Sequence, residues 1–123
     1  AGAAVADNHL YMDGPAIFNF TMDAVPRLVE QVLQKHRLTK EETDYFVFHQ
    51  ANQFMLNHLR KKMGITEEQF IYRMQHCGNT VSSTIPIVLY HMKEDGMFNK
   101  KTKTLLAGFG VGYSWGGTIL TTE

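Results

Sequence analysis

The sequence has 123 residues, 44% of them hydrophobic and 20% charged, a composition that suits one ordinary globular core and argues against disorder. Twelve basic residues balance twelve acidic ones at a pI near 7.2, so no overall field draws the chain to nucleic acid or to an anionic membrane. The lone cysteine, Cys77, has no intrachain disulfide partner, and no apolar run reaches the roughly 18 residues that span a bilayer, so a reducing cytoplasm is the expected location.

Residues 1–11 start with the small apolar stretch Ala1-Gly2-Ala3-Ala4-Val5-Ala6, with no basic segment before it, and are expected to be a loose lead to a single domain over 12–123. Val25, Leu28, Val29, Val32 and Leu33 then recur at the spacing of a helix that buries one face. Asp23 is the expected N-cap, which would put Pro26 in the first turn, where a missing N–H costs little. Thr39-Lys40-Glu41-Glu42 has capping-box spacing and predicts a short turn of helix. Tyr45-Phe46-Val47-Phe48 is an aromatic and β-branched run that reads as a buried strand.

Past His49, the positions Ala51, Met55, Leu59 and Met63 form one helical stripe that stops at Gly64. Phe70 to Met74 is a second strand candidate. Ile85, Val88, Leu89 and Met92 repeat at helical spacing, with Thr80 as the expected cap and Gly96 as the stop; Pro86 predicts either a kink or a late helical start. Two strands, Thr104 to Phe109 and Ser114 to Thr122, flank the turn Gly110-Val111-Gly112. Helix and strand alternate and close on a β-hairpin, so the expected class is α/β, a mixed sheet flanked by helices.

Chemistry is most concentrated at His49-Gln50-Ala51-Asn52, where a buried strand ends and a helix begins. The carboxyl ends of strands are where open α/β sheets bind ligands. A histidine there is as often a plain structural hydrogen-bonding group. Asn79, thirty positions on (79 minus 49), lies in Cys77-Gly78-Asn79-Thr80, another loop between a strand candidate and a helix, and shifts the balance towards a site.

Two other motifs mislead. Gly112-Tyr113-Ser114-Trp115-Gly116 matches the G-x-S-x-G nucleophile elbow, but that motif needs a strand-to-helix turn and Thr118-Ile119-Leu120 reads as strand. Gly108, Gly110 and Gly112 mimic a dinucleotide loop without the final glycine or the following helix. Cys77 as a nucleophile has only the nearby His76 to lower its pKa, and free cysteines are commonly buried and inert. The remaining histidines, His9, His36, His58, His76 and His91, show no metal-binding spacing.

His-Gln-Ala-Asn, then Gly-Asn-Thr, then Gly108-Phe109-Gly110-Val111-Gly112-Tyr113-Ser114-Trp115-Gly116 resemble, in order and spacing, the C-terminal half of β-ketoacyl-acyl-carrier-protein synthase III, of the thiolase superfamily. The resemblance implies a thiolase-like half-domain and covers the chain from about Met12 onward. It makes His49 and Asn79 two members of a Cys-His-Asn triad, Asn52 and Phe109 part of the substrate and coenzyme A channel, and the Val111 N–H an oxyanion donor where the family usually has glycine. It also makes Arg60, Lys61 and Lys62 a docking patch for acyl carrier protein, although basic residues at a helix C-terminus are favoured by the dipole alone. Phe54 departs from the arginine common in relatives at that position.

The implied activity is decarboxylative Claisen condensation of an acyl-CoA with malonyl-acyl-carrier protein, with the coenzyme A thioester as substrate and no cofactor. The implied partners are the N-terminal half of the same enzyme and a second copy in a homodimer. The resemblance puts the reactive cysteine in the other half, so the 123 residues alone are expected to be inactive in condensation. It also implies that the first strand of this half is missing, with an exposed sheet edge and self-association as consequences. The alternatives are half of a polyketide-type condensing enzyme and a non-catalytic module that binds carrier protein or a partner subunit.

Overall fold

The computed structural model describes residues 14–73, 83–110 and 113–123; the expected lead over 1–11 lies outside them. Helix α1 spans Gly14–Lys35, strand β1 Tyr45–Phe48, helix α2 Gln53–Met63, helix α3 Thr84–Glu94, strand β2 Thr102–Gly110 and strand β3 Ser114–Thr122. The three strands form one sheet in the order β1-β2-β3. β1 runs parallel to β2, with Phe46 opposite Leu105, and β2 runs antiparallel to β3, with Gly110 opposite Ser114. The sheet is therefore mixed and ends in a hairpin, as the sequence pattern implies.

Alternation along the strands assigns the two faces. Phe46, Phe48, Leu105, Ala107 and Phe109 point to one side, where they pack with Val25, Val29 and Val32 of α1 and Leu56 and Leu59 of α2. Val47 points to the other side and packs with Val88 and Met92 of α3 and with Ile71. Helices thus cover both faces, which is why β1 is apolar throughout instead of alternating.

α2 matches its local signals. The Asn52 side chain accepts from the Met55 N–H at 2.8 Å, closing the N-terminus. Gly64, at φ 67°, closes the other end: its N–H and that of Ile65 return to the carbonyls of Lys61 and Arg60. Ala51 precedes this helix instead of opening its stripe.

Four expectations are corrected. Asp23 is not an N-cap, because α1 begins nine residues earlier (23 minus 14), and Asp23 instead pairs with Arg27 one turn on. Pro26 therefore sits inside the helix, where it removes an N–H and orphans the Met22 carbonyl. Lys62 Nζ supplies the missing donor to that carbonyl at 2.6 Å, which is how the helix runs through the proline. Thr39 and Glu42 do make the reciprocal capping-box bonds, Thr39 N–H to Glu42 Oε1 and Glu42 N–H to Thr39 Oγ1, but they close a turn and no helix follows. The segment from Phe70 contributes a single parallel bridge to Phe46 rather than a strand, as far as Arg73.

Pro86 resolves as a late start. α3 opens at Thr84 after Ser83, so the proline occupies the first turn, where its missing N–H has no helical partner to lose. Thr80, the expected cap, lies outside the described residues.

Candidate active site around His49

His49 leaves the C-terminal end of β1, where its N–H still donates to the Ala107 carbonyl at 2.8 Å and so extends the parallel ladder by one residue. Its ring is half-buried. Nδ1 lies 2.7 Å from Oγ1 of Thr84, the first residue of α3, and Phe109 meets the ring edge to face at 5.4 Å and 86°. Burial pushes the His49 pKa below its ordinary value of 6.5, so the imidazole is neutral at neutral pH.

Gln50 fixes the backbone beneath the histidine. It is 2% exposed, and its side chain donates Nε2–H to the Phe48 carbonyl at 2.8 Å and accepts from the Arg73 N–H at 3.0 Å. Its own N–H donates to Thr84 Oγ1 at 3.2 Å. One hydroxyl on α3 therefore holds both the ring of His49 and the chain just after it. A buried amide with both ends satisfied adds rigidity to the backbone that carries the histidine.

The other site expectations fall in different places. Phe109 is buried beside His49 and also stacks edge-on against Phe48. Asn52 is exposed and spends Oδ1 on the α2 cap. Asn79, Val111 and Cys77 lie outside the described residues. The basic cluster is not uniform: Arg60 donates to the Ile65 carbonyl and faces Glu67, and Lys62 is bonded to Met22. The Lys61 side chain is exposed and, among the described residues, makes no hydrogen bond or ion pair.

Ser114 opens strand β3, and Thr118, Ile119 and Leu120 continue it, so Ser114 lies in a hairpin arm and not at a strand-to-helix nucleophile elbow. No group of three metal-ligating side chains occurs among the described residues, and no described helix is long and apolar enough to cross a membrane. Sequence reasoning missed Thr84. Its hydroxyl is a helix-start residue in the sequence, and nothing in the spacing ties it to a histidine 35 positions away.

Residues 33–122 match the family described as 3-Oxoacyl-[acyl-carrier-protein (ACP)] synthase III C terminal. The chain is 39% identical over 122 residues to the beta-ketoacyl-[acyl-carrier-protein] synthase III of Lactococcus lactis subsp. lactis (strain IL1403), covering 98% of this chain and 38% of that protein. A solved 3-oxoacyl-(acyl-carrier-protein) synthase III superposes with TM-score 0.89 at 47% identity, covering 93% of this chain and 34% of the other. The beta-ketoacyl-acyl-carrier-protein synthase III of Thermus thermophilus superposes with TM-score 0.90 at 29% identity, covering 98% and 37%. The chain thus spans well under half the length of the relatives it matches. From the strand order, the helices on both faces and the match over residues 33–122, this chain belongs to the family of 3-oxoacyl-acyl-carrier-protein synthase III C-terminal domains, with the thiolase-like α/β fold of its relatives.

Proposed function

We propose that this chain, with residues 12–123 as the domain, forms the C-terminal part of the condensing site in an acyltransferase. That enzyme moves an acyl group from coenzyme A to a cysteine and joins it to malonyl-acyl-carrier protein in the step that begins fatty acid synthesis. The observation that carries the reading is His49: a half-buried, neutral imidazole at the carboxyl end of β1, fixed by Thr84 and Phe109.

The reaction asks for such a group. As the malonyl thioester loses carbon dioxide, the electron pair of the breaking C–C bond moves onto the thioester oxygen and gives an enolate. The enolate carbon then attacks the acyl-cysteine carbonyl, and the cysteine thiolate leaves. An N–H donor on neutral His49, joined by the Asn79 amide, stabilises the enolate oxygen as its charge grows, each donor of this kind being worth about 3 kcal/mol in a dry site. A charged partner would hold the malonate carboxylate as a salt bridge and oppose its departure; a neutral ring does not. Asn79 and the Val111 N–H, the latter serving the second oxyanion, enter this reading through the family resemblance.

Asn52 keeps its Nδ2 for the pantetheine arm after its Oδ1 has capped α2, and Phe109 walls the channel beside the histidine. Lys61 is the basic residue best placed for an acidic carrier protein, because Arg60 and Lys62 are already engaged. A homodimer, an N-terminal half that brings the cysteine, and a cytoplasmic location complete the reading, and it calls for no cofactor beyond the coenzyme A thioester substrate.

The test uses the protein translated from the complete open reading frame, assayed with acetyl-CoA and malonyl-acyl-carrier protein. Condensation that falls by a factor of at least about 100 in both His49→Ala and Asn79→Ala supports the reading. Wild-type turnover in either variant rejects it. The isolated chain, incubated with acetyl-CoA and weighed intact, should remain unmodified, and stoichiometric acylation of Cys77 would overturn the assignment of the nucleophile.

A further inference from the structure

We propose that Thr84 is a positioning residue that sets the tautomer of His49: its hydroxyl donates to Nδ1, which places the ring proton on Nε2. The inference rests on the condensing-site reading, since it says which form of His49 that site uses.

Thr84 Oγ1 stands between two partners. It is 3% exposed, lies 2.7 Å from His49 Nδ1, and takes the Gln50 N–H at 3.2 Å. The Gln50 amide can only donate, so it occupies one oxygen lone pair. The bond to His49 then has two possible directions. Either the hydroxyl gives its proton to Nδ1, or Nδ1–H gives its proton to the second lone pair.

Two features favour the first direction. A separation of 2.7 Å is the usual length of an O–H donor bond, whereas N–H donors to oxygen centre on about 2.9–3.0 Å. A hydroxyl that already accepts an N–H is also polarised to donate, because bonds in a chain strengthen one another at low dielectric. The hydroxyl is pinned for this task, with Thr84 at the start of α3 and Gln50 locked by its contacts to Phe48 and Arg73.

The tautomer decides what His49 can do. With Nδ1 accepting, Nε2 carries hydrogen and the ring is a neutral donor to a developing oxyanion. With Nδ1 protonated, Nε2 would be a bare lone pair, a base that repels that oxyanion. The hydrogen bond at one ring nitrogen fixes the chemistry of the other.

The experiment is long-range proton–nitrogen correlation NMR on the 123-residue chain with labelled histidine, His49 being assigned by loss of its signals in His49→Gln. A protonated Nε2 with an unprotonated Nδ1 in the wild-type chain is the expected result, and Thr84→Ser should preserve it. In Thr84→Val, with its fold verified by amide spectra, the Nδ1–H form should become populated. A wild-type ring protonated on Nδ1, or a folded Thr84→Val variant with an unchanged ring, would overturn the proposal, and the wild-type spectrum decides even if that variant does not fold.

In the complete enzyme, Thr84→Val should lower kcat for condensation by at least about tenfold with little change in KM, since a wrong tautomer is costlier still in a catalytic triad. Thr84→Ser should restore most of it. Loss of activity in His49→Ala alongside a Nδ1-protonated wild-type ring would leave the condensing site standing and remove only the role given to Thr84.

Discussion

Lys62 Nζ donates to the main-chain carbonyl of Met22 at 2.6 Å, from 40 positions away, and takes the place of the N–H that Pro26 cannot provide. A lysine at the end of α2 thereby mends the middle of α1. The bond also ties up a charge that the family resemblance would spend on carrier-protein docking.

Lys62→Met is expected to destabilise the chain by about 1 kcal/mol, the usual worth of one hydrogen bond. In a Pro26→Ala background, where residue 26 has an N–H again, the same substitution should cost less. Chemical denaturation of the four chains in this cycle reads the difference, and equal losses in both backgrounds would show that Lys62 is not compensating for the proline.

Gly117 permits α1 to lie close on β3. A Cβ there would come within 2.9 Å of the Leu106 carbonyl oxygen and 3.2 Å of Val32 Cγ2, and the first of these is backbone that cannot swing aside. Gly117→Ala should cost about 1–3 kcal/mol. At the neighbouring Gly116 a Cβ meets nothing within 4 Å, so Gly116→Ala should lie within about 0.5 kcal/mol of wild type when thermal melts of the two glycine variants are compared.

Arg37, two residues past the end of α1, lies in the left-handed region at φ 54°, while the Leu38 N–H returns to the Leu33 carbonyl at 2.9 Å. Glycine takes that conformation without the steric cost that a Cβ imposes. Arg37→Gly should therefore raise stability by about 0.5–1 kcal/mol, visible as a shift in the urea midpoint with the slope unchanged.

The depressed pKa of His49 links folding to pH. The unfolded ring, at about 6.5, binds its proton more readily than the buried one, so His49's contribution to stability is complete above that value and shrinks as pH falls towards the folded pKa. Stability between pH 7.5 and 5 should drop less in His49→Gln than in wild type. Matching slopes in denaturant titrations across that range would mean that burial does not hold the ring neutral.

Much of the fold can be read from short stretches of sequence because its causes are local. Tyr45–Phe48 is a strand buried on both faces, Gly64 stops the helix that follows it, and the glycines at 108 and 110 lead into a hairpin whose second arm begins at Ser114. His49 stood out for the same reason, as a polar residue where a buried strand ends and a helix begins.

The composition and the local patterns determined an α/β chain with a histidine at a strand end. Tertiary structure alone decided that α1 runs through Pro26, because the donor that replaces the lost N–H comes from Lys62 on another helix. It also decided that the residues from Phe70 to Arg73 supply one bridge instead of a strand, and that Thr84 reaches His49. Each of these outcomes depends on groups tens of residues apart being brought within 3 Å or so, and the hydrogen bonds that result leave no periodicity in the sequence to announce them.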